Sequence, residues 1–160
     1  MIPSGFQGGG EMSFEQRNLL IVWNESKHIG VNIVDEQHRG IVSIINSLHY
    51  SLSLRDAESF LRPTAEMIMG YTQIHFKTEI GLLQDSGYPW LREHMDQHDQ
   101  LIADADRIFA DCLKEGGDPT KFLNFLKDWW LVHIAREDMT YSAHLLKYLR
   151  SPRRVITKLS

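Results

Sequence analysis

Cysteine is almost absent from this sequence of 160 residues, which contains only Cys112. One cysteine cannot form a disulfide within the chain, and it cannot build a zinc or iron–sulfur site of the cysteine type. Such low cysteine usage is typical of a reducing compartment, so we expect a cytoplasmic protein. Any metal site in the chain must therefore use other ligands.

An excess of positive charge is also missing. Lys and Arg number 17 against 21 Asp and Glu, which gives a formal net charge of -4. Binding to nucleic acid or to an acidic membrane surface depends on a strongly basic face. We therefore expect neither nucleic acid nor a membrane among the partners.

Long apolar runs are missing as well. The longest runs, at residues 19–23 and 129–132, are far shorter than the roughly 20 residues that a membrane-spanning helix needs. No signal-peptide pattern is visible in the first residues. Hydrophobic residues nevertheless make up 42% of the chain, which is enough for one well-filled core. The composition predicts one soluble globular domain.

The composition divides the chain into one domain and two short tails. Residues 1–21 begin with a glycine-rich stretch and are expected to form a flexible leader. Residues 151–160 are polar and basic, as expected for a tail or a linker. The folded domain is therefore predicted at residues 22–150.

Apolar residues recur at spacings of three and four in four stretches of this domain, which predicts four amphipathic helices. The first runs from about residue 34 to 54, and the second ends at residue 84. The third begins at Pro89 and stops at Gly116, and the fourth begins with Asp118 as its cap. Pro63 is expected in a first turn or at a kink. We predict an all-α, antiparallel up-down-up-down four-helix bundle.

Histidine is what the sequence has in excess, with eight residues. Five of them and one carboxylate lie in line with the apolar stripes, so every helix directs at least one imidazole to the interior. Separately hydrogen-bonded core histidines would need independent partners on four helices. A shared metal cluster satisfies all of these side chains at once. These inward residues are His38, His75, Glu79, His94, His98 and His133.

Asp138 is the candidate for a second carboxylate ligand. It follows His133 by five residues, which places it roughly 140° away around an ideal helix. The two side chains can converge only if the helix tightens, bulges or breaks between Ile134 and Asp138. Local π-bulges are frequent at functional sites, so such an irregularity is expected here.

The spacing of these residues resembles the hemerythrins, and the bacterial branch in particular. The matching features occur in the family's order along the chain. They are Trp23, the segment Gly-Val-Asn-Ile-Val-Asp-Glu-Gln-His at residues 30–38, the segment His-Phe-Lys-Thr-Glu at 75–79, Tyr88-Pro89, His94, His98, Trp129, His133-Ile134 and Asp138.

The resemblance implies a non-haem centre of two iron ions (Fe2+/Fe3+) with an oxo or hydroxo bridge. It assigns His94, His98 and His133 to one iron and His38 and His75 to the other, and Glu79 and Asp138 bridge both. One coordination position stays open on the two-histidine iron, where O2 binds reversibly as a hydroperoxide. The residues expected to line this oxygen pocket are Phe76, Trp129, Trp130 and Ile134.

The implied function is an oxygen carrier, store or sensor and not an enzyme. A sensor would need a signalling partner or an attached domain.

The family often has a smaller aliphatic residue at the position of Trp130, so an indole facing the pocket is expected to slow oxygen access. Two alternatives stay open: a di-iron enzyme that consumes peroxide or nitric oxide, and a helical bundle that binds zinc or no metal. The other histidines, His28, His49 and His144, are expected at the surface or in caps.

Overall fold

The computed structural model describes residues 19–54 and 57–151, and that part of the chain contains helices and no strands. A short 3₁₀ turn at Glu25–Lys27 precedes the main helices. A π-helical segment separates α4 from α5 without a loop, so these three elements form one long fourth helix. The elements are α1 (Asn32–Ser51), α2 (Ala57–Ser86), α3 (Leu91–Cys112), α4 (Pro119–Trp129), the π-helical segment (Trp130–Glu137) and α5 (Asp138–Leu149).

The four long helices close into a bundle. α1 packs on α2, α2 on α3, α3 on α4, and α4 on α1, while α5 packs on α2. Because the connections are short, neighbouring helices run antiparallel. The predicted all-α four-helix bundle is confirmed.

The helix ends agree with the predictions at some positions and differ at others. The side chain of Asp118 accepts a hydrogen bond from the Thr120 amide and caps α4, as predicted. α3 begins two residues after Pro89, at Leu91. α2 begins at Ala57, so Pro63 lies inside the helix and not in its first turn. The nearby side chains of Leu61 and Ala65 are buried, and tertiary packing of this kind routinely overrides local helix propensity.

Two apolar clusters fill the core. The large cluster includes Ile41, Ile45, Ile68, Phe76, Leu126 and Trp130. The small cluster consists of Ile29, Val31, Val34, Leu83, Tyr141 and Leu145. On α1, His38 lies between Val34 of the small cluster and Ile41 of the large one, and the other candidate ligands hold the same intermediate position on their helices. The candidate ligands therefore form a polar layer between the clusters.

The loop before α1 is held by the buried carboxylate of Asp35. Its Oδ1 accepts the Ile29 amide at 2.8 Å and its Oδ2 accepts the Gly30 amide at 3.0 Å. Gly30 adopts a positive φ of 85°, which favours glycine. The Ser142 hydroxyl donates to the Ile29 carbonyl. The loop thereby joins the start of α1 to α5, close to the polar layer.

The last residues of the predicted leader pack against the bundle. Ile21 is buried, its amide donates to Asn46 Oδ1 at 2.9 Å, and its carbonyl accepts from Asn46 Nδ2 at 2.8 Å. The rest of the predicted leader, up to residue 18, and the predicted tail from residue 152 lie outside the described residues.

Asp35→Ala is expected to lower the free energy of unfolding by about 2–4 kcal/mol, because two buried amides lose a charged acceptor. Urea unfolding followed by circular dichroism measures this change. The control is Glu36→Ala, which removes an exposed carboxylate paired with Arg39 at 3.4 Å and should cost less than about 1 kcal/mol. Equal effects of the two substitutions would contradict the role given to Asp35.

Candidate metal centre

All seven predicted ligands converge in the polar layer between the two apolar clusters. α1 provides His38, α2 provides His75 and Glu79, and α3 provides His94 and His98. The π-helical segment provides His133, and Asp138 is the first residue of α5. Each of the seven residues is at most 5% exposed. The amphipathic pattern that buries the core stripes also directs these polar side chains inward.

The π-helical segment brings Asp138 to the cluster. Its last bond runs from the Asp138 amide to the His133 carbonyl, five residues earlier. This wider turn places residues five apart on one face. Asp138 Oδ1 consequently lies 3.4 Å from His133 Nε2. The expected irregularity between Ile134 and Asp138 is confirmed, and it begins earlier than expected, at Trp130.

The Glu79 carboxylate lies among histidines of both predicted sets. Its Oε1 is 3.2 Å from His94 Nε2, and its Oε2 is 3.2 Å from His98 Nε2. The same Oε2 is 3.7 Å from His75 Nε2. Glu79 is therefore positioned between the three-histidine set and the two-histidine set.

The Asp138 carboxylate is placed in the same way. Its Oδ2 is 3.2 Å from His38 Nε2 and 4.0 Å from His75 Nε2. Its Oδ1 lies 3.7 Å from His94 Nε2, in addition to the contact with His133. Asp138 thus reaches ligands from all four long helices.

These contacts form two adjoining groups, each compact enough to hold one metal ion. The ligand atoms within each group lie within 4.8 Å of one another. Asp138 belongs to both groups. One consists of Glu79, His94, His98, His133 and Asp138, and the other of His38, His75 and Asp138.

Most of the inward-facing polar atoms have no hydrogen-bond partner among the described residues. This is true of Nε2 of His38, His75 and His94, and of both carboxylate oxygens of Glu79 and Asp138. Buried polar atoms without a partner are rare and each costs about 1–3 kcal/mol. A cation at their centre would bind all of them. The donor set therefore fits metal ions that accept imidazole and carboxylate ligands.

Burial keeps four of the cluster histidines, His38, His75, His98 and His133, neutral. It lowers the pKa of His38 and His133 to about 3 and that of His75 to about 4. It also lowers the pKa of His98. Neutral imidazole is the form that binds a metal. The histidines are thus ready to bind metal at neutral pH without first losing a proton.

The two carboxylates have opposite pKa shifts. Burial and the neighbouring Glu79 charge raise the pKa of Asp138 well above its usual range. Burial also acts to raise the pKa of Glu79, but the close contacts with His94 and His98 lower it well below its usual range. A cation between the carboxylates would stabilise the charged form of both.

Aromatic rings surround the ligand layer. Phe76 stacks on His98 with ring centroids 3.6 Å apart, and Trp129 meets Phe76 edge-on. Phe76 also lines an apolar cavity of about 40 Å³ between α2, α3 and α4. Ile134 is fully buried in the large cluster. All four predicted lining residues thus lie on the side of the layer that faces the large apolar cluster.

Trp130 packs against Trp23 beside the two-histidine set. Trp130 is buried, and its ring lies 6.3 Å from that of Trp23, which in turn lies 6.2 Å from His38. The Lys27 amino group lies 5.4 Å from the centre of the Trp130 ring. Trp23 was part of the sequence resemblance but was not predicted to line the pocket.

Two residues near the ligands were missed by sequence reasoning. Tyr141 is fully buried, and its ring lies 5.5 Å from that of His94. Burial and the nearby Asp138 and Glu79 carboxylates raise the pKa of its hydroxyl. Its position three residues after Asp138, on the same helix face, was a usable signal. Gln37 contacts His75, and only its position before His38 pointed to it.

The three remaining histidines lie outside the cluster. His28 Nε2 accepts a hydrogen bond from Trp23 Nε1 at 3.0 Å. His144 Nε2 lies 3.1 Å from the Ser86 carbonyl near the end of α2. His28, His49 and His144 are each only partly exposed.

A sequence profile described as the hemerythrin HHE cation binding domain matches residues 29–145. The chain belongs to the hemerythrin family. Members of this family are typically oxygen-binding proteins with a non-haem di-iron centre. The matched region contains all seven residues of the cluster. None of the described helices is long and apolar enough to cross a membrane.

Curated relatives and solved structures agree with this assignment. A bacteriohemerythrin of Stenotrophomonas maltophilia is 29% identical over 138 residues, which cover 82% of this chain and 88% of the relative. A bacteriohemerythrin of Pseudomonas aeruginosa is 30% identical over 123 residues, covering 76% and 78%. The crystal structure of a wild-type hemerythrin superposes with a TM-score of 0.67 at 25% identity and covers 79% of this chain and 98% of that one.

The metal-free protein is expected to lose stability as the pH falls from 7 to 5. Unfolded histidines bind protons near pH 6.5, whereas folded His38, His75 and His133 stay neutral down to about pH 3 or 4. The unfolded state therefore binds more protons in this window, and each net proton costs about 1.4 kcal/mol per pH unit. The raised pKa of Asp138 has the opposite effect on the free energy of unfolding, because the folded state then holds a proton that the unfolded state has lost. This effect involves one proton, against three for the histidines.

Urea midpoints of the metal-free protein at several pH values measure this dependence. His133→Gln should make it shallower, because one of the three neutral histidines is gone. His144→Gln, outside the cluster, should leave it unchanged. A midpoint that stays constant or rises between pH 7 and 5 would contradict the assignment of buried neutral histidines.

Proposed function

We propose that this member of the hemerythrin family binds O2 reversibly at two iron ions held by the buried cluster. The observation that carries the proposal is the convergence of five buried imidazoles and two carboxylates whose inward atoms mostly lack partners among the described residues. Two adjoining groups of ligand atoms, joined through Asp138, support a pair of ions.

The proposed ligand assignment follows the two groups. His94, His98 and His133 would hold one iron, and His38 and His75 would hold the other. Glu79 and Asp138 would bind both ions. The contacts of Glu79 Oε2 with His75 and His98, 3.7 Å and 3.2 Å, support a bridging role for this carboxylate.

A pair of ferrous ions supplies, when bound, the two electrons that dioxygen takes up and returns. The residues of the chain control access to the ions and the charge around them. His38 and His75 are fully buried, and Trp23 and Trp130 pack beside them. We propose that this packing keeps water from the iron with the smaller number of histidine ligands, where O2 enters.

The ligand set favours reversible binding over turnover. Five of the seven ligands are neutral imidazoles, which stabilise ferrous iron better than additional anionic oxygens would. Within the proposed assignment only two carboxylates balance the charge of the ions. Oxidation is thus less favoured than it would be at a carboxylate-rich site.

The alternative is a di-iron enzyme that consumes peroxide or nitric oxide with the same ligands. Such an enzyme needs a proton donor or a redox-active group near the reacting ligand, and the buried phenol of Tyr141 is a group of this kind. Its ring contacts His94, which we assign to the other iron, and its hydroxyl interacts with Glu79, which we assign to both. The majority of imidazoles in the ligand set nevertheless makes reversible oxygen binding the function that the site supports best.

The purified, iron-loaded protein is expected to contain two iron ions per chain. After reduction without air it should be colourless, gain a visible charge-transfer band when O2 is admitted, and lose that band under vacuum over repeated cycles. Direct conversion to a stable oxidised form, with turnover of added peroxide, would favour the enzyme. Less than one iron per chain would contradict both functions.

His75→Ala is expected to abolish reversible oxygenation, because it removes one of two histidines from the iron that O2 enters. The three-histidine ligands stay in place, so some iron should remain bound. Iron content, the visible spectrum and circular dichroism measure the outcome. The matched control is His144→Ala, which should oxygenate normally. Retained oxygenation in His75→Ala would refute the role of His75.

A further inference from the structure

Gln37 connects α1 to a metal-ligand histidine on α2. Its side chain is buried, and its Oε1 lies 3.4 Å from His75 Nδ1. Its Nε2 donates a hydrogen bond to Thr78 Oγ1 at 3.0 Å. Gln37 also directly precedes His38 in the chain. The side-chain amide of Gln37 thus contacts one histidine of the two-histidine set, and its backbone adjoins the other.

The direction of this hydrogen-bond chain is determined by Thr78. A hydroxyl has one hydrogen, and that of Thr78 is donated to the Ile74 carbonyl at 2.9 Å. Toward Gln37 the hydroxyl can therefore only accept. The amide nitrogen of Gln37 must face Thr78, and the amide oxygen must face His75.

This orientation selects one tautomer of His75. A carbonyl oxygen only accepts hydrogen bonds, so the Nδ1 that faces it must carry the proton. Nε2 then has a free lone pair, and it lies 3.7 Å from Glu79 Oε2 and 4.0 Å from Asp138 Oδ2. A metal needs this lone pair. The opposite tautomer would present an N–H to the metal.

His75 differs in this respect from two of the other cluster histidines. Nδ1 of His38 and Nδ1 of His98 are buried without a hydrogen-bond partner among the described residues. The structure therefore shows a side chain that selects the tautomer at His75 and shows none at those two. Partners of this kind typically change metal affinity by 10–100-fold.

We propose that Gln37, oriented by Thr78, is a positioning residue that holds His75 in the Nδ1–H tautomer and so prepares Nε2 to bind metal. The proposal rests on the proposed metal centre, since it assigns a purpose to the free Nε2. It does not depend on what the metal centre then does with oxygen.

Three variants of the full chain separate tautomer selection from a purely structural tie between α1 and α2. Gln37→Leu removes both hydrogen bonds. Gln37→Glu keeps an acceptor for the His75 Nδ1 proton and loses the amide donor. Thr78→Val keeps the amide but removes the group that orients it. The hydrogen bond from the Gln37 amide to Thr78 is lost in all three, whereas an acceptor for the His75 Nδ1 proton survives in Gln37→Glu and in Thr78→Val.

The test measures the tautomer and the metal affinity of the chelator-stripped protein. Long-range ¹H–¹⁵N spectra identify the protonated nitrogen of His75, whose signals are assigned by their loss in His75→Ala. Competition titration with Co2+ measures affinity. Circular dichroism confirms the fold of each variant.

We expect the Nδ1–H form in the wild type and in Gln37→Glu, and a mixed or Nε2–H form in Gln37→Leu. Co2+ affinity should fall about 10–100-fold in Gln37→Leu, less in Thr78→Val, and under about 3-fold in Gln37→Glu. An Nε2–H form in the wild type would overturn the proposal. A folded Gln37→Leu variant that keeps the wild-type tautomer and the wild-type Co2+ affinity would also overturn it. Equal losses of Co2+ affinity in Gln37→Leu and Gln37→Glu would do the same. If Gln37→Leu does not fold, the comparison of Thr78→Val with Gln37→Glu decides by the same readouts.

The oxygen experiment gives an independent result. If these variants show the expected tautomers and Co2+ affinities while iron-loaded wild type does not oxygenate, the positioning role of Gln37 stands and the proposed function fails.

Discussion

Desolvation of the polar layer is the constraint on which the rest of the structure depends. Five imidazoles and two carboxylates are buried away from water, and most of their inward atoms have no partner in the part of the chain that the structure describes. Groups in this condition destabilise a folded chain unless a shared cation binds them. The helices that position them must therefore be held by other contacts, and the apolar clusters on both sides of the layer supply these.

The contacts around the layer show how the chain maintains this arrangement. Asp35 holds the loop that precedes α1, and Gln37 joins α1 to α2 only two residues later. His38 follows directly. A single short segment thus combines a loop anchor, a tie between helices and a ligand. This explains in physical terms why the segment at residues 30–38 was so informative in the sequence.

Much of the fold was predictable because periodicity reports burial directly. The four apolar stripes indicated four helices, and the same spacing showed that the histidines point inward. Asp138 required one further step, since an ideal helix would have turned it away from His133, and the expected irregularity was found. Gln37 and Tyr141 were not predicted, because their roles depend on which helix lies opposite, which sequence spacing does not report. Pro63 lies inside α2, which excludes the first turn and leaves the kink as the other expectation for this residue.

The π-helical segment also divides the fourth helix into two parts with different phase. In a regular helix the apolar stripe of α4, which includes Phe122 and Leu126, would continue in step into α5. Instead the extra residue shifts the stripe by about 100°, and Tyr141 and Leu145 face the small cluster in the new register. A deletion of one residue between His133 and Asp138 would bring the stripes back into step, and the two ligands, then four residues apart, would still share one face of a regular helix. A phase break in an otherwise regular apolar stripe, with a histidine before it and an acid after it, is therefore a signal for buried metal sites that can be read from sequence alone.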